Sequence, residues 1–194
     1  MERIYRLGEE DIVIEICPGV YEPSDDTFLM ARSVIARGKC LEIGTGSGFT
    51  AIYLGKKGFD VACSDIDQKA VECAGKNMKR NGVNGRCIKS DLFQNIEGKF
   101  DTIIFNPPYL PTSDSIEESI QWDGGPDGFS VTERFLKEAK GHIEKDGNIF
   151  IILSSLTDIE SLKVNFPCFS FLEISHESFF FETIYCFELS LKKE

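Results

Sequence analysis

The chain is 194 residues long, 42% hydrophobic and 27% charged, the composition of an ordinary globular protein with length enough for a sizeable core. No apolar run is long enough to span a bilayer, and Met1-Glu2-Arg3-Ile4-Tyr5 lacks the apolar region of a secretory signal, so a cytoplasmic protein is expected. The formal net charge of −11 argues against a duplex nucleic-acid substrate, since binders of that kind replace phosphate counterions with a basic stripe.

In chain order, Asp11-Ile12-Val13-Ile14-Glu15-Ile16 alternates and predicts a short strand, followed by the turn Pro18-Gly19. Ser24, behind Pro23, is a natural N-cap, with Asp25 and Asp26 placed to meet the positive end of a helix dipole. Phe28, Ala31 and Ile35 share a face of that helix, and Gly38 is its expected end. Strand Cys40–Ile43 leads through a glycine loop to a helix from about Phe49 to Lys57. Strand Val61–Ser64 follows, then a helix with Val71, Ala74 and Met78 on one face and a stop at Asn81-Gly82. Lys76, Lys79 and Arg80, with Arg86 and Lys89 nearby, read as a solvated face.

Arg86–Lys89 is a third short strand and Phe100–Phe105 a fourth, ending at Asn106. A long polar loop runs from Leu110 to Gly128, after which Ser130 and Glu133 form the pattern of a capping box. Val131, Phe135, Ala139 and Ile143 make the stripe of the next helix; strand Asn148–Leu153 and a short helix near Ile159 to Val164 follow. Phe171–Ser175 and Thr183–Leu189 leave no room for a crossover helix and are expected to pair as an antiparallel hairpin. Alternating strands and helices give an α/β fold with a mainly parallel sheet, and five such units closed by a hairpin is the Rossmann-like seven-stranded layout of class I S-adenosylmethionine-dependent methyltransferases. One domain is expected, with 1–37 covering a cofactor site and 38–194 forming the core.

Seven cysteines without a C-x-x-C pair are expected to be buried, reduced thiols. Two distant histidines supply no metal-ligand spacing, and no structural zinc is expected. Phe179-Phe180-Phe181 suggests core packing first and a partner surface second; Trp122 suits a substrate lid and a packed anchor equally well.

Glu42-Ile43-Gly44-Thr45-Gly46-Ser47-Gly48 occupies a strand-to-helix turn, where Gly44, Gly46 and Gly48 let backbone approach a ligand closely. Its spacing differs from the dinucleotide fingerprint, and an acid ahead of the glycines repels a pyrophosphate but suits an ammonium and a sulfonium. Asp65 ends the second strand of the core, where an acid can take both ribose hydroxyls. Asp91 follows the third strand and can accept from an adenine amino group, with the Leu92 backbone N–H placed for a ring nitrogen. Asp67 is the natural cap of the helix after the second strand. Glu42, Asp65, Asp91 and Asn106 all fall at carboxyl ends of strands, the crevice in which open α/β sheets bind ligands.

Asn106-Pro107-Pro108-Tyr109 completes the pattern: the prolines remove two donors, Asn106 adds an acceptor, and Tyr109 a flat aromatic face. The cluster suits a planar group bearing an NH2. On Val20-Tyr21-Glu22-Pro23-Ser24-Asp25-Asp26-Thr27-Phe28-Leu29, the glycine loop, Asn106–Tyr109 and Trp122-Asp123-Gly124-Gly125-Pro126-Asp127-Gly128, the chain resembles the HemK-type protein-glutamine N5-methyltransferases, in their short archaeal and eukaryotic branch. The resemblance implies that Tyr21, Pro23, Thr27, Glu42, Gly44, Gly46, Gly48, Asp65, Ile66, Asp91, Leu92 and Asn106 contact or border S-adenosylmethionine, and that Asn106, Pro107, Pro108 and Tyr109 form the catalytic clamp. It implies a class 1 peptide-chain release factor as substrate, at the glutamine of Gly-Gly-Gln, and a small zinc-binding activator subunit pairing with strand Arg86–Lys89. Three alternatives stay open on the residues alone: an adenine-N6 or guanine-N2 nucleic-acid methyltransferase, a protein-lysine methyltransferase, and a non-catalytic scaffold subunit.

Overall fold

The computed structural model describes residues 1–108 and 129–193. Strands β1 (Glu2–Leu7) and β2 (Glu10–Glu15) form an antiparallel hairpin of their own. Then come α1 (Asp25–Ser33), β3 (Lys39–Ile43), α2 (Phe49–Lys56), β4 (Asp60–Asp65), α3 (Gln68–Arg80), β5 (Arg86–Lys89) and β6 (Phe100–Phe105). After the undescribed stretch, α4 (Ser130–His142), β7 (Ile143–Ser154), α5 (Ile159–Asn165), β8 (Phe169–Ser178) and β9 (Thr183–Leu191) complete the chain.

The main sheet has the order β5-β4-β3-β6-β7-β9-β8. Its first five strands run parallel, while β9 is antiparallel to both β7 and β8, as the class I layout requires. The period of two sorts side chains onto two cores. Cys40, Ile104, Phe150, Ile152 and Cys186 face α1, α2, α3 and the β1–β2 hairpin. Leu41, Ile43, Ile103, Ile151 and Leu189 face α4 and α5. Strand order reverses between β3 and β6, so the carboxyl ends of those two strands flank the switch-point crevice.

Several expectations are corrected. Strand β1 was hidden by its exposed, charged face. Helix α1 stops at Ser33, whose hydroxyl turns back onto the Leu29 carbonyl, and Val34 is extended, which leaves Ile35 outside the helix and exposed. Gly38 serves a different purpose, a close approach in which a Cβ would overlap Asp101. Phe129, not Ser130, occupies the cap of α4, and the Glu133 backbone N–H donates to the Phe129 carbonyl. Ile143 opens β7 instead of finishing the helix.

Two of the seven cysteines are not free thiols, because a disulfide joins Cys17 to Cys73. Asn77 on α3 and Asn81 at its C-cap, one turn apart, pair with the β2 backbone at Glu15 and Val13, and that docking carries Cys17 onto Cys73, 6.2 Å between Cα atoms. Their separation of 56 residues gave no local sign of it. The Phe179–Phe181 run is not core: Phe180 is 92% exposed and Phe181 83%.

Candidate active site

The loop after β3 is held from three sides. Gly44, Gly46 and Gly48 all have positive φ, which side chains other than glycine adopt at a cost. A Cβ at Gly48 would stand 3.0 Å from Ala74 on α3, so that glycine also lets α2 and α3 close. The Thr45 backbone N–H donates to the Ser64 carbonyl, and Gly46 packs against Tyr21 from the N-terminal segment. Asn77 donates to the Ser47 carbonyl as well as to that of Glu15, so one buried side chain ties the glycine loop to β2.

Glu42 lies beneath this loop. Its Oε2 accepts from the Thr45 hydroxyl at 2.5 Å and from the Ala51 backbone N–H at 3.2 Å. These bonds brace the loop and the first turn of α2. Burial pushes the carboxyl up from its ordinary 4.5 to about 7, against the lowering effect of bonds from Thr45, Thr50 and Ala51. The folded chain therefore keeps a proton that the unfolded chain has released, and stability falls as pH rises through that window. Glu42→Gln removes the linkage. Relative to the parent, the variant should gain roughly 2–3 kcal/mol between about pH 5 and about pH 8, read from urea midpoints at each pH. An offset that does not change with pH would refute the assignment.

The next two strands bring acids to the same edge. Asp65 Oδ2 accepts from the Gly46 N–H and Oδ1 from the Asp67 N–H, each at 2.9 Å; burial raises its pKa, partly offset by these bonds. Each oxygen keeps a lone pair for the crevice, where a pair of ribose hydroxyls would fit. Ile66 beside it is an exposed apolar side chain at the crevice mouth. Asp67 caps α3, accepting from the Lys69 N–H. The Ser90 N–H donates to the Asp65 carbonyl and so sets Asp91 next to it. Asp91 is paired with Arg134 of α4 at 2.8 Å, a partner that sequence spacing did not suggest. Leu92 is the one non-glycine residue with positive φ (47°) among those described, yet its side chain is buried. A strained backbone at this spot, with the side chain anchored inward, is the mark of a residue held for its main-chain groups.

The clamp follows β6. Gly44 lies against Phe105 and the Asn106 carbonyl, so the glycine loop and the clamp are adjacent. Asn106 Nδ2 donates to Asp26 Oδ2 at 3.0 Å. Asp26, buried at the start of α1, also accepts from the Tyr21 and Ser24 hydroxyls and from the Thr27 N–H. Thr27 and Ser24 complete the capping box of α1. A carboxylate only accepts, so the amide orientation of Asn106 is fixed, with Oδ1 turned the other way. That Oδ1 is buried and has no hydrogen-bond partner among the described residues. A buried acceptor left unmatched costs stability and calls for a donor. Pro107 is buried and Pro108 half-buried, neither able to donate. Tyr109 and the Trp122 segment lie outside the described residues.

The structure thus gathers Tyr21, Thr27, Glu42, the three glycines, Asp65, Asp91, Leu92 and Asn106 along one edge. Sequence reasoning missed Asn77 and Arg134, and gave Asp26 only a helix-dipole role. Asparagine inside a helix is a poor helix former, and Asn77 and Asn81 at that spacing were the available signal.

Residues 26–173 match the family model of the methyltransferase small domain. A Methanocaldococcus jannaschii protein provisionally named a protein N5-glutamine methyltransferase is 42% identical over 157 residues, covering 76% of this chain and 79% of that protein. The Mus musculus methyltransferase HEMK2 is 32% identical over 69% of this chain and 71% of its own length. Among solved structures, the E. cuniculi Mtq2-Trm112 complex, responsible for methylation of the eRF1 translation termination factor, aligns with a TM-score of 0.71 at 22% identity, over 90% of this chain and 99% of that one. The T. thermophilus 16S rRNA N2 G1207 methyltransferase RsmC, in complex with AdoMet and guanosine, aligns with a TM-score of 0.75 at 19% identity; it covers 100% of this chain, which spans 50% of that one.

Proposed function

The chain belongs to the methyltransferase small domain family and, within it, to the HemK-type enzymes, and from that footing we propose that it methylates the side-chain amide nitrogen of the glutamine in the Gly-Gly-Gln motif of a peptide-chain release factor. One observation carries the proposal: the buried Asn106 Oδ1, held outward by Asp26 and without a partner among the described residues, is an acceptor placed for an N–H.

The residues fit S-adenosylmethionine as methyl donor. The left-handed glycines give its main chain room to approach, Asp65 would hold the ribose, and Ile66, Asp91 and the Leu92 N–H would border the adenine. When bound, this cofactor supplies an electrophilic methyl group. The chain's own residues meet the harder requirement, since an amide nitrogen is a poor nucleophile with its lone pair shared into the carbonyl. Asn106 Oδ1 and the Pro107 carbonyl would accept the two N–H bonds of the substrate NH2, fixing its orientation. As positive charge grows on the nitrogen, both acceptors stabilise it. Because Asp26 occupies the donor side of Asn106, the clamp offers acceptors only and discriminates against a carboxylate such as glutamate. Residues 1–37 cover the crevice, through Tyr21, Asp26 and Thr27.

A small activator subunit, as in the Mtq2-Trm112 complex, would add a strand to β5. Strand β5 is the sheet's edge, and a groove of about 500 Å³ lined by Val71, Gly75, Met78, Val83 and Cys87 runs beside it. Work on a translation factor would place the enzyme in the cytoplasm. Incubating chain, activator and cofactor with release factor should add one methyl to the Gly-Gly-Gln glutamine, read by mass spectrometry of the peptide. Label entering RNA while the release factor stays unmodified would favour the exocyclic amine of a base instead, which the same acceptors could grip.

A further inference from the structure

The turn between β8 and β9 breaks the usual rules of turn chemistry. Its central residues are Phe180 and Phe181, where glycine, asparagine or aspartate would be ordinary. Both are almost fully exposed, Phe179 is 43% exposed, and Leu156 beside β7 is exposed too. The two outer rings pack edge to face at 4.5 Å, so they present one aromatic knob. The knob is firmly mounted: the Phe179 N–H donates to the Glu182 carbonyl, the Ser155 N–H to the Thr183 carbonyl, and the Ser154 hydroxyl to Glu182. Contiguous aromatic surface fixed in place is the signature of a contact site, not of a loose loop.

Its location tells which partner it meets. Phe105, the residue before Asn106, lies opposite Ile151, and Ile184 lies opposite Ser154, three residues further along β7. The knob therefore rises beyond the same end of the sheet that carries the clamp, two to three strand spacings (roughly 10–14 Å) to the side and about as far again along the strand direction, roughly 20 Å in all. Between Phe169 and Leu191 the hairpin carries glutamates at 173, 177, 182 and 188 and no lysine or arginine. Asp25, Asp65 and Asp67 continue the acidic rim. We propose that Phe180 and Phe181 form a docking knob for the protein substrate, seating in an apolar pocket of a basic polypeptide surface while its glutamine reaches the clamp. This rests on a protein substrate, as proposed above, and assigns the hairpin a share of its recognition that the clamp alone does not supply. The overall charge of −11 speaks against anionic RNA or an anionic membrane as occupant.

The test uses the full chain with its activator and the double variant F180S/F181S. Dissociation constants for intact release factor, measured by titration in an Asn106→Ala background that blocks turnover, should rise about 10-fold or more with the knob removed. In the active background, kcat and KM for a short Gly-Gly-Gln peptide should stay at parent values. An unchanged dissociation constant, or an equal loss on the peptide, would overturn the inference. So would sedimentation showing that the knob only joins two copies of the chain. If the parent binds release factor through the knob but leaves it unmethylated, the glutamine chemistry fails and the docking surface stands. If the parent does not bind it at all, the docking surface falls.

Discussion

Asn106→Ala should lower methyl transfer by about 10³-fold, the range seen when one preorganised group facing developing charge is removed. Two acceptors hold the substrate nitrogen in the proposed clamp, and the alanine leaves only the Pro107 carbonyl. The nitrogen is then free to rotate away from the line of attack, which alone accounts for a large part of the loss. Binding of S-adenosylmethionine should change by no more than about threefold, because the glycine loop, Asp65 and Leu92 carry the binding groups. The fold should survive, since Asp26 keeps its bonds to Tyr21, Ser24 and Thr27. Single-turnover rates and calorimetric cofactor titration separate the two quantities. Near-normal turnover would sink the clamp.

Asp26→Asn should come next, with a loss of about 10²-fold in kcat from misorientation of one group. The reasoning is a count of donors. Asp26 Oδ1 accepts from the Ser24 hydroxyl and from the Thr27 N–H and hydroxyl, Oδ2 accepts from Asn106, and the Tyr21 hydroxyl lies 2.9 Å from both oxygens. An asparagine at this position must keep its oxygen on the Ser24–Thr27 side, so its NH2 faces Asn106. The Asn106 amide then turns over to accept that bond and presents its own NH2 to the substrate. A donor facing a donor cannot hold the amide. Because the two side chains are isosteric, thermal stability should stay close to that of the parent, so the kinetic loss reports orientation and not unfolding. A crystal structure of the variant with Asn106 unturned, together with parental kcat, would show that Asp26 merely caps α1.

The parts of this protein that could be read from its sequence are those whose cause is local. Short apolar runs such as Phe100–Phe105, bounded by turn residues, read as buried strands, and the glycines at 44, 46 and 48 mark a turn whatever surrounds them. Strand β5 came out at the residues expected, Arg86–Lys89, and the terminal hairpin followed from a connection too short for a helix. Ends of elements were less legible. Helix α1 ends where Val34 turns extended after Ser33, and no residue type announces that choice among its competitors.

The site divides along the same line. Sequence alone determined the fold class, the glycine loop, the acids at strand ends and the Asn-Pro-Pro-Tyr segment, because each depends on residue types within a few positions of one another. Only the tertiary structure decided what those residues face. It joined Cys17 to Cys73, paired Asp91 with Arg134, turned Glu42 beneath the loop, and displayed Phe180 and Phe181 to solvent. Above all it brought Asp26 to Asn106 across 80 residues, so that a helix-start carboxylate sets the direction of the clamp. Contacts between distant segments depend on how elements pack, and packing leaves no local mark on either partner.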